Sequence, residues 1–247
     1  MSVSADITLG ILPSSQGQPP LPDPLVWLTR KEQERYATYR VEAARHQFLA
    51  ARVLLKTMVG DICGTSAPNV LIQTDDNGRP FLMDLPGQIS ISHCPEYIAV
   101  AYAERLAVGI DVERQSDATL ITDIAAQIMT PAEQNTLQET TDPLAYFQRV
   151  WTAKEAALKC AGTGFLTDPK RFATDIYPDH AMVQGILTTG EVGAYHVRHR
   201  DLEGGAMLAV AVEEKRRASA RVTVRHYHWL NVADGGQMVA VANEDQF

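Results

Sequence analysis

The segment that most constrains the fold is residues 150–161, which would be apolar on nearly every side of a helix. It reads Val-Trp-Thr-Ala-Lys-Glu-Ala-Ala-Leu-Lys-Cys-Ala and carries three charges, on Lys154, Glu155 and Lys159. A helix of this kind is normally buried, and a buried charge is costly unless it is paired or bound to a metal. Glu155 and Lys159 are four residues apart and share a face with Trp151. A simple helical ion pair is therefore one interpretation, and a functional site is the other.

A second segment, residues 109–113, combines the pattern of a strand with two acidic residues. Asp111 and Glu113 are two positions apart, so on a strand they point to the same side and hold like charges at short range. A divalent cation such as Mg²⁺ would compensate them, since it typically takes one or two carboxylates together with phosphate oxygens and water. Two solvated carboxylates at a strand edge are the alternative interpretation.

Hydrophobic periodicity predicts two arrangements in which a long helix precedes alternating strands. One helix is predicted over residues 40–59, ending near Gly60, and another over residues 143–161. Thr130 and Glu133 have the spacing of a capping box at the start of a further helix. The alanine- and valine-rich strands of the two halves are alike, which hints at an internal duplication, and the acidic segment from Asp234 is expected to be a mobile end. Strands are predicted over residues 6–12, 89–93, 97–103, 107–112, 193–199, 207–212 and 221–229.

The distribution of charge limits the kinds of partner. The net charge is −8 over 247 residues, which argues against general nucleic-acid binding because that function needs a large positive surface. Residues 30–56 reverse the sign locally, with seven basic residues against three acidic ones. This stretch is either a solvated face or an anion-binding surface on an otherwise acidic protein.

The sequence contains no signal for export or membrane insertion. No basic start leads into an apolar stretch, and no apolar run approaches the roughly 20 residues that span a bilayer. Cys63, Cys94 and Cys160 are far apart and lack the spacing of a disulfide framework or a zinc site. We therefore expect a cytoplasmic protein with reduced thiols and with neither a membrane nor a nucleic acid as partner.

Taken together, the motifs resemble those of the Sfp-type (surfactin-synthetase type) 4′-phosphopantetheinyl transferases. That family is marked by a Gly-(Ile/Val)-Asp-(Ile/Val)-Glu strand, a later Trp-x-x-Lys-Glu-x-x-x-Lys-x-x-Gly-x-Gly helix, a Gly-Lys-Pro turn and a Ser-His pair. Order and spacing agree over residues 29–165. The departures are mild: Arg79 replaces the usual lysine, and Cys94 and Phe165 replace a frequent serine and leucine. The matching residues are Gly109 to Glu113, Trp151 through Lys159 to Gly162 and Gly164, Gly78-Arg79-Pro80, and Ser92-His93.

The resemblance implies an enzyme that moves 4′-phosphopantetheine from coenzyme A to a serine of an apo acyl or peptidyl carrier protein and releases 3′,5′-ADP, with Mg²⁺ as cofactor. It implies an α+β fold of two similar α+β subdomains, residues 1–115 and 116–247, related by a pseudo-twofold axis with coenzyme A in the cleft between them. We expect a monomer that serves fatty-acid, polyketide or nonribosomal-peptide synthesis. The alternatives are a coenzyme A- or carrier-binding module without turnover, and a Mg²⁺-dependent phosphohydrolase, for which no Gly-rich phosphate loop is present.

The resemblance also implies roles for individual residues. Asp111, Glu113 and Glu155 are the expected metal ligands, and Glu155, directly or through a water, is the expected base. Lys159 is expected to lie beside the coenzyme A pyrophosphate and to take part in catalysis, whereas Lys154 has no implied role beyond a salt bridge. The residues expected to bind the phosphates of the nucleotide are Arg35, Arg79, Ser92 and His93 and, from the basic helix, Arg45 and Arg52.

Overall fold

The computed structural model describes residues 5–14, 22–114, 118–163, 166–215, 220–232 and 235–246. The helices in these residues are α1 (Pro24–Trp27), α2 (Arg30–Thr38), α3 (Glu42–Cys63), α4 (Ala118–Ile128), α5 (Pro131–Glu139) and α6 (Pro143–Ala161). The strands are β1 (Ala5–Pro13), β2 (Ile72–Thr74), β3 (Pro80–Leu82), β4 (Gln88–His93), β5 (Tyr97–Ala103), β6 (Gly109–Arg114), β7 (Phe172–Ile176), β8 (His180–Ile186), β9 (Val192–Asp201), β10 (Ala206–Glu213), β11 (Ala220–Val232) and β12 (Gly235–Gln246). The predicted α+β class is confirmed.

Two five-stranded sheets form the centre of the molecule, with strand orders β12-β11-β1-β5-β4 and β6-β10-β9-β8-β7, while β2 and β3 pair separately. Their inner faces pack on each other through side chains such as Ile7, Ile110 and Val224. Helix α3 covers the outer face of the first sheet, and α6 covers the outer face of the second. The layers therefore run helix, sheet, sheet, helix, which buries both faces of each sheet.

Several helix and strand boundaries in the structure differ from those predicted from the sequence. Helix α3 continues past Gly60 to Cys63 and ends at Gly64, whose φ of 68° provides the left-handed C-cap. The segment after Asp234 is not a mobile end, because β12 pairs antiparallel with β11 and buries Met238. Strands β7 and β8 were not predicted.

Gly164, Phe165 and the proposed boundary at residues 115 and 116 lie outside the described residues. The two sheets exchange strands across that boundary, because β6 pairs with β10 and β11 pairs with β1.

A buried glutamate ties α2 to α3. Thr29 and Glu32 form a capping box at the start of α2. The Glu32 carboxylate lies 2.7 Å from the Arg52 Nε and 3.7 Å from the Lys56 Nζ, and all three side chains are almost fully buried. Lys56 Nζ also donates to the Trp27 carbonyl oxygen at 2.6 Å. These partners satisfy charges that would otherwise be costly in the core.

The same arrangement ties α5 to α6. Thr130 and Glu133 form the predicted capping box, and Lys154 Nζ lies 2.6 Å from Glu133 Oε2. Lys154 Nζ also donates to the carbonyl oxygens of Ile128 at 2.8 Å and Pro169 at 3.2 Å. The other carboxylate oxygen of Glu133 accepts from the Thr174 backbone N–H at 2.8 Å and from its hydroxyl at 2.7 Å. Lys154 therefore has the structural role of a salt bridge.

The two networks correspond position by position, as an internal duplication requires. Each lysine donates to the carbonyl that precedes its capping threonine by two residues, and each capping glutamate is followed by a glutamine. Gln33 Nε2 donates to the Leu28 carbonyl oxygen at 2.8 Å, and Gln134 Nε2 donates to the Met129 carbonyl oxygen at 2.9 Å. Lys56 and Lys154 also stand equally far from the left-handed C-cap glycines of their helices, Gly64 and Gly162.

Gly109 lets α6 lie directly on β6. A Cβ at this position would overlap the Ala156 carbonyl oxygen and would come within 2.5 Å of the Cys160 nitrogen. Both obstacles are helix backbone, which cannot rotate away as a side chain can. The glycine of the strand motif is thus required by helix packing. Among the described residues, no helix has both the length and the apolar character needed to cross a bilayer.

We expect Glu133→Ala to lower the free energy of unfolding by about 3–5 kcal/mol, because it leaves the buried Lys154 ammonium without its counter-ion. Urea denaturation gives the value. Glu139→Ala, at the exposed end of the same helix, is the control and should change the free energy by no more than about 0.5 kcal/mol. Equal losses in the two variants would show that the network does not stabilise the fold.

We expect Gly109→Ala to cost about 1–3 kcal/mol or more of unfolding free energy, because the added methyl group forces α6 away from β6. Thermal denaturation measures the loss, and amide hydrogen exchange locates it. Faster exchange should concentrate in α6. An unchanged unfolding free energy with normal protection of α6 would contradict this account of the glycine.

Candidate functional site

The two sheets meet edge to edge where β4 lies beside β6. Side chains connect these edges: Ser90 Oγ accepts a hydrogen bond from the Ile110 backbone N–H at 3.1 Å, and Ser92 Oγ donates to Asp111 Oδ1 at 2.8 Å. Both serines and Asp111 are buried. We call this place the seam. It holds Asp111 in a fixed, water-poor position between the halves of the molecule.

Lys159 of α6 provides the nearest positive charge. Its Nζ lies 2.6 Å from Asp111 Oδ1 and 3.0 Å from Ser92 Oγ. The Asp111 side chain is 2% exposed, whereas the Lys159 side chain is 27% exposed. Lys159 therefore reaches from the surface into the seam, and only one oxygen of Asp111 receives its charge.

Glu155 and Glu113 complete an acidic group around Asp111. Burial first, and then the negative charge of Asp111, raise the pKa of both glutamates to about 7. The pKa of Glu113 is partly restored by a hydrogen bond from the Trp151 side chain, and Gln148 Nε2 holds the Glu113 carbonyl oxygen at 3.0 Å. Both glutamates are therefore buried within electrostatic reach of Asp111.

The donor set fits a hard divalent cation, although the present side-chain positions do not form a finished metal site. Within the described ranges, no three His, Cys, Asp or Glu side chains converge closely enough to hold a metal ion. Asp111 Oδ2 and Glu155 Oε1 are nevertheless buried without a hydrogen-bond partner, and carboxylate oxygens are the ligands that Mg²⁺ prefers. The buried carboxylate oxygens therefore suit a cation by their chemistry, and their side chains would have to converge around it.

A cavity of about 360 Å³ opens beside the seam, between the two halves. Glu155 and Lys159 form one side of it, and Arg79 forms another, with its Nη2 donating to Gln88 Oε1 at 2.9 Å. Gly162 belongs to the same wall, where a Cβ would overlap the Arg79 guanidinium. The structure thus brings Arg79, Glu155 and Lys159 of the sequence prediction around one space. Partial burial and then the charge of Lys159 lower the pKa of His93, which places His93 within electrostatic reach of that lysine.

The three predicted arginines of α2 and α3 do not line this cavity. Arg35 and Arg52 line a different cavity, also of about 360 Å³, together with the start of α2. Arg52 is held by its ion pair with Glu32 and lies 4.8 Å from the centre of the Phe48 ring, and Arg35 lies 5.7 Å from the same ring. Arg45 is exposed on α3 and lines neither cavity.

Two residues that orient the site were missed in the sequence. Ser90 supports the seam, and its signal is its position on the same strand face as Ser92. Gln148 precedes Trp151 by three residues on the same helix face and fixes the end of β6. Neither stands out by residue type, because Ser and Gln at such positions are more often solvent-exposed.

Comparison with known proteins agrees with this geometry. Residues 107–213, which include β6, α6 and the second sheet, match the family model of the 4′-phosphopantetheinyl transferase superfamily. The chain is 27% identical to a 4′-phosphopantetheinyl transferase of Bacillus subtilis, over 62% of this chain and 68% of that protein. It is 24% identical to the 4′-phosphopantetheinyl transferase HetI of Nostoc sp., over 76% of this chain and 90% of that protein. Identity to the 4′-phosphopantetheinyl transferase Sfp of Bacillus subtilis is 22%, over 62% and 68% of the two chains. The matched region and these relatives support the resemblance that the motifs indicate, to 4′-phosphopantetheinyl transferases of the Sfp type.

Proposed function

We propose that the chain transfers 4′-phosphopantetheine from coenzyme A to a serine of an apo acyl or peptidyl carrier protein and releases 3′,5′-ADP. The observation that carries this proposal is the group of buried carboxylates beside Lys159 in the wall of the cavity between the halves. The names of the relatives support the same reaction. We propose the cavity as part of the coenzyme A cleft.

The cations around the cavity suit the pyrophosphate of coenzyme A. Lys159 and Arg79 face the cavity from its two sides, so both can contact phosphate oxygens by charge-assisted hydrogen bonds. We assign Ser92 and His93 to the nucleotide phosphates, with Arg35 and Arg45 as further contacts. For Arg52, the buried ion pair with Glu32 favours a structural role over direct contact with the nucleotide.

We propose Asp111, Glu113 and Glu155 as the ligands of Mg²⁺. When bound, Mg²⁺ would neutralise the charge of the carboxylates and of the pyrophosphate, which is the main requirement of phosphoryl chemistry. The residues fit the ion, because Asp111 Oδ2 and Glu155 Oε1 are buried oxygens that lack a hydrogen-bond partner within the described structure.

Glu155 is the proposed base. Its pKa of about 7 suits a group that takes up a proton near neutral pH. Directly or through a water, its carboxylate accepts the proton of the carrier serine hydroxyl as the serine oxygen attacks the β-phosphorus. The new serine O–P bond forms, the bond between the β-phosphorus and the bridging oxygen breaks, and 3′,5′-ADP leaves with the electron pair. Lys159 stabilises the charge that develops on the phosphate oxygens.

The remaining parts of the proposal concern the whole protein. We propose a cytoplasmic monomer, with the halves 1–115 and 116–247 on the two sides of the cleft. The carrier belongs to fatty-acid, polyketide or nonribosomal-peptide synthesis.

Asp111→Ala and Glu155→Ala should abolish transfer and leave the fold intact, because each removes one carboxylate from the proposed metal site. Intact mass of an apo carrier protein, incubated with coenzyme A, Mg²⁺ and each variant, reports the gain of one phosphopantetheine. Asp61→Asn is a matched control, because exposed Asp61 takes the place of Lys159 in the first-half copy of the helix. It should transfer normally.

Near-normal rates in both carboxylate variants would falsify the site assignment. If the unaltered protein binds coenzyme A but modifies none of several carriers, the chain is instead a binding module without turnover.

We propose that His93 contacts the 3′-phosphate, which coenzyme A carries and dephospho-coenzyme A lacks. His93→Ala should therefore weaken binding of coenzyme A more than binding of dephospho-coenzyme A. Isothermal titration with both ligands measures the difference, and turnover should persist at saturating coenzyme A. Equal weakening for the two ligands would remove His93 from the 3′-phosphate.

A further inference from the structure

We propose that Lys159 is the internal counter-ion of the seam carboxylates and that its ammonium leaves Asp111 when a divalent cation binds, which frees Lys159 for the phosphates of coenzyme A. The inference rests on the proposed function and specifies how the site is regulated: the protein without metal protects its own metal site with a lysine. Metal and coenzyme A then bind in a coupled way.

The first support is the position of the ammonium. Lys159 Nζ lies 2.6 Å from Asp111 Oδ1 and 3.0 Å from Ser92 Oγ, so it already occupies the coordination space around that carboxylate oxygen. A cation that uses the same oxygen and the Lys159 ammonium exclude each other by like charge and by volume. The hydrogen bond from Ser92 can stay, because the Asp111 side chain does not have to move.

The second support is the balance of charge at the seam. Asp111, Glu113 and Glu155 together carry up to three negative charges, and Lys159 supplies one positive charge. The orphan oxygens Asp111 Oδ2 and Glu155 Oε1 show that this single ammonium leaves part of the carboxylate surface unsatisfied. A doubly charged cation compensates more of it and accepts several oxygens at once. Replacement of the Lys159 ammonium by a divalent cation therefore stabilises the three carboxylates.

The third support is a comparison between the lysines of α6. Lys154 is 1% exposed and donates to Glu133, Ile128 and Pro169, so its ammonium is enclosed by fixed acceptors. The Lys159 side chain is 27% exposed and lines the open cavity. Lys159 can therefore swing from Asp111 toward the cavity along a path that is closed to Lys154.

Coupling follows from this exchange. Release of Lys159 from Asp111 breaks an ion pair, and that cost is offset when the freed ammonium meets a phosphate group. Each ligand therefore strengthens the other, by the same factor in both directions. Without Lys159, the metal no longer competes with an ammonium, and coenzyme A loses the freed cation.

The test uses Mn²⁺ as the probe, counted by the electron paramagnetic resonance of the free ion in solutions of the full chain without coenzyme A. Lys159→Met removes the charge and keeps an apolar stem, and it should bind Mn²⁺ about tenfold more tightly than the unaltered protein. Coenzyme A should then strengthen Mn²⁺ binding by a smaller factor in Lys159→Met than in the unaltered protein. Lys170→Met, a change at an exposed lysine, should alter neither value.

Asp111→Asn separates this inference from the proposed function. If Asp111→Asn loses Mn²⁺ and Lys159→Met binds it no more tightly than the unaltered protein, the metal site stands and the counter-ion role is overturned. If no protein shows Mn²⁺ binding that depends on Asp111, the metal site itself fails and the inference falls with it. A third outcome would overturn the coupling: Lys159→Met binds Mn²⁺ more tightly, but coenzyme A strengthens Mn²⁺ binding by the same factor in this variant as in the unaltered protein. Circular dichroism checks that each variant is folded.

Discussion

The direct contact of α6 with β6 is the constraint on which the site depends. Because Gly109 has no side chain, the helix backbone rests on the strand, and one face of α6 is held against the residues that follow the glycine. Gln148 and Trp151 then reach Glu113, and Lys159 reaches Asp111. A helix one side-chain layer farther away would leave these pairs too far apart to bond. The charged residues of an otherwise apolar helix are thus concentrated where the strand offers partners for them.

Local patterns of the sequence were sufficient to predict the elements that carry this candidate site. The helical period of α6, the alternation of β6 and the capping box of Thr130 and Glu133 are short-range features, and each forms where it was predicted. The ion pair of Arg52 was not accessible in this way. Its partner Glu32 lies on a different helix, and a basic residue on a helix has the same sequence pattern whether it binds a ligand or a core carboxylate. Strand β12 was missed because polar residues on both sides of its short apolar run, Met238 to Ala242, resemble a free end, whereas its pairing with β11 is a long-range feature.

The duplication explains why the molecule has one proposed site. The scaffold residues are kept in both halves: a capping threonine and glutamate, a buried lysine and a left-handed glycine. The residues that follow the lysine differ. Lys154 is followed by Glu155 and, later, Lys159, whereas the corresponding positions after Lys56 hold Thr57 and Asp61. The stability of the two halves and the chemistry of the seam are therefore carried by different positions of the same repeat, so one can change while the other is retained.

The parallel pairing of β1 with β11 has a consequence for the growing polypeptide. Strand β1 lies inside the first sheet between β5 and β11, and its residues Ile7, Leu9 and Ile11 are almost completely buried. While the ribosome has released only the first half, β1 can pair with β5, but its other edge has no strand to cover it. Such an apolar edge invites pairing with other chains. Completion of the sheet must wait for a contact between strands that are distant in the chain, which is a slow step in folding. The uncovered edge of β1 is therefore open to association with other chains during the interval before β11 emerges.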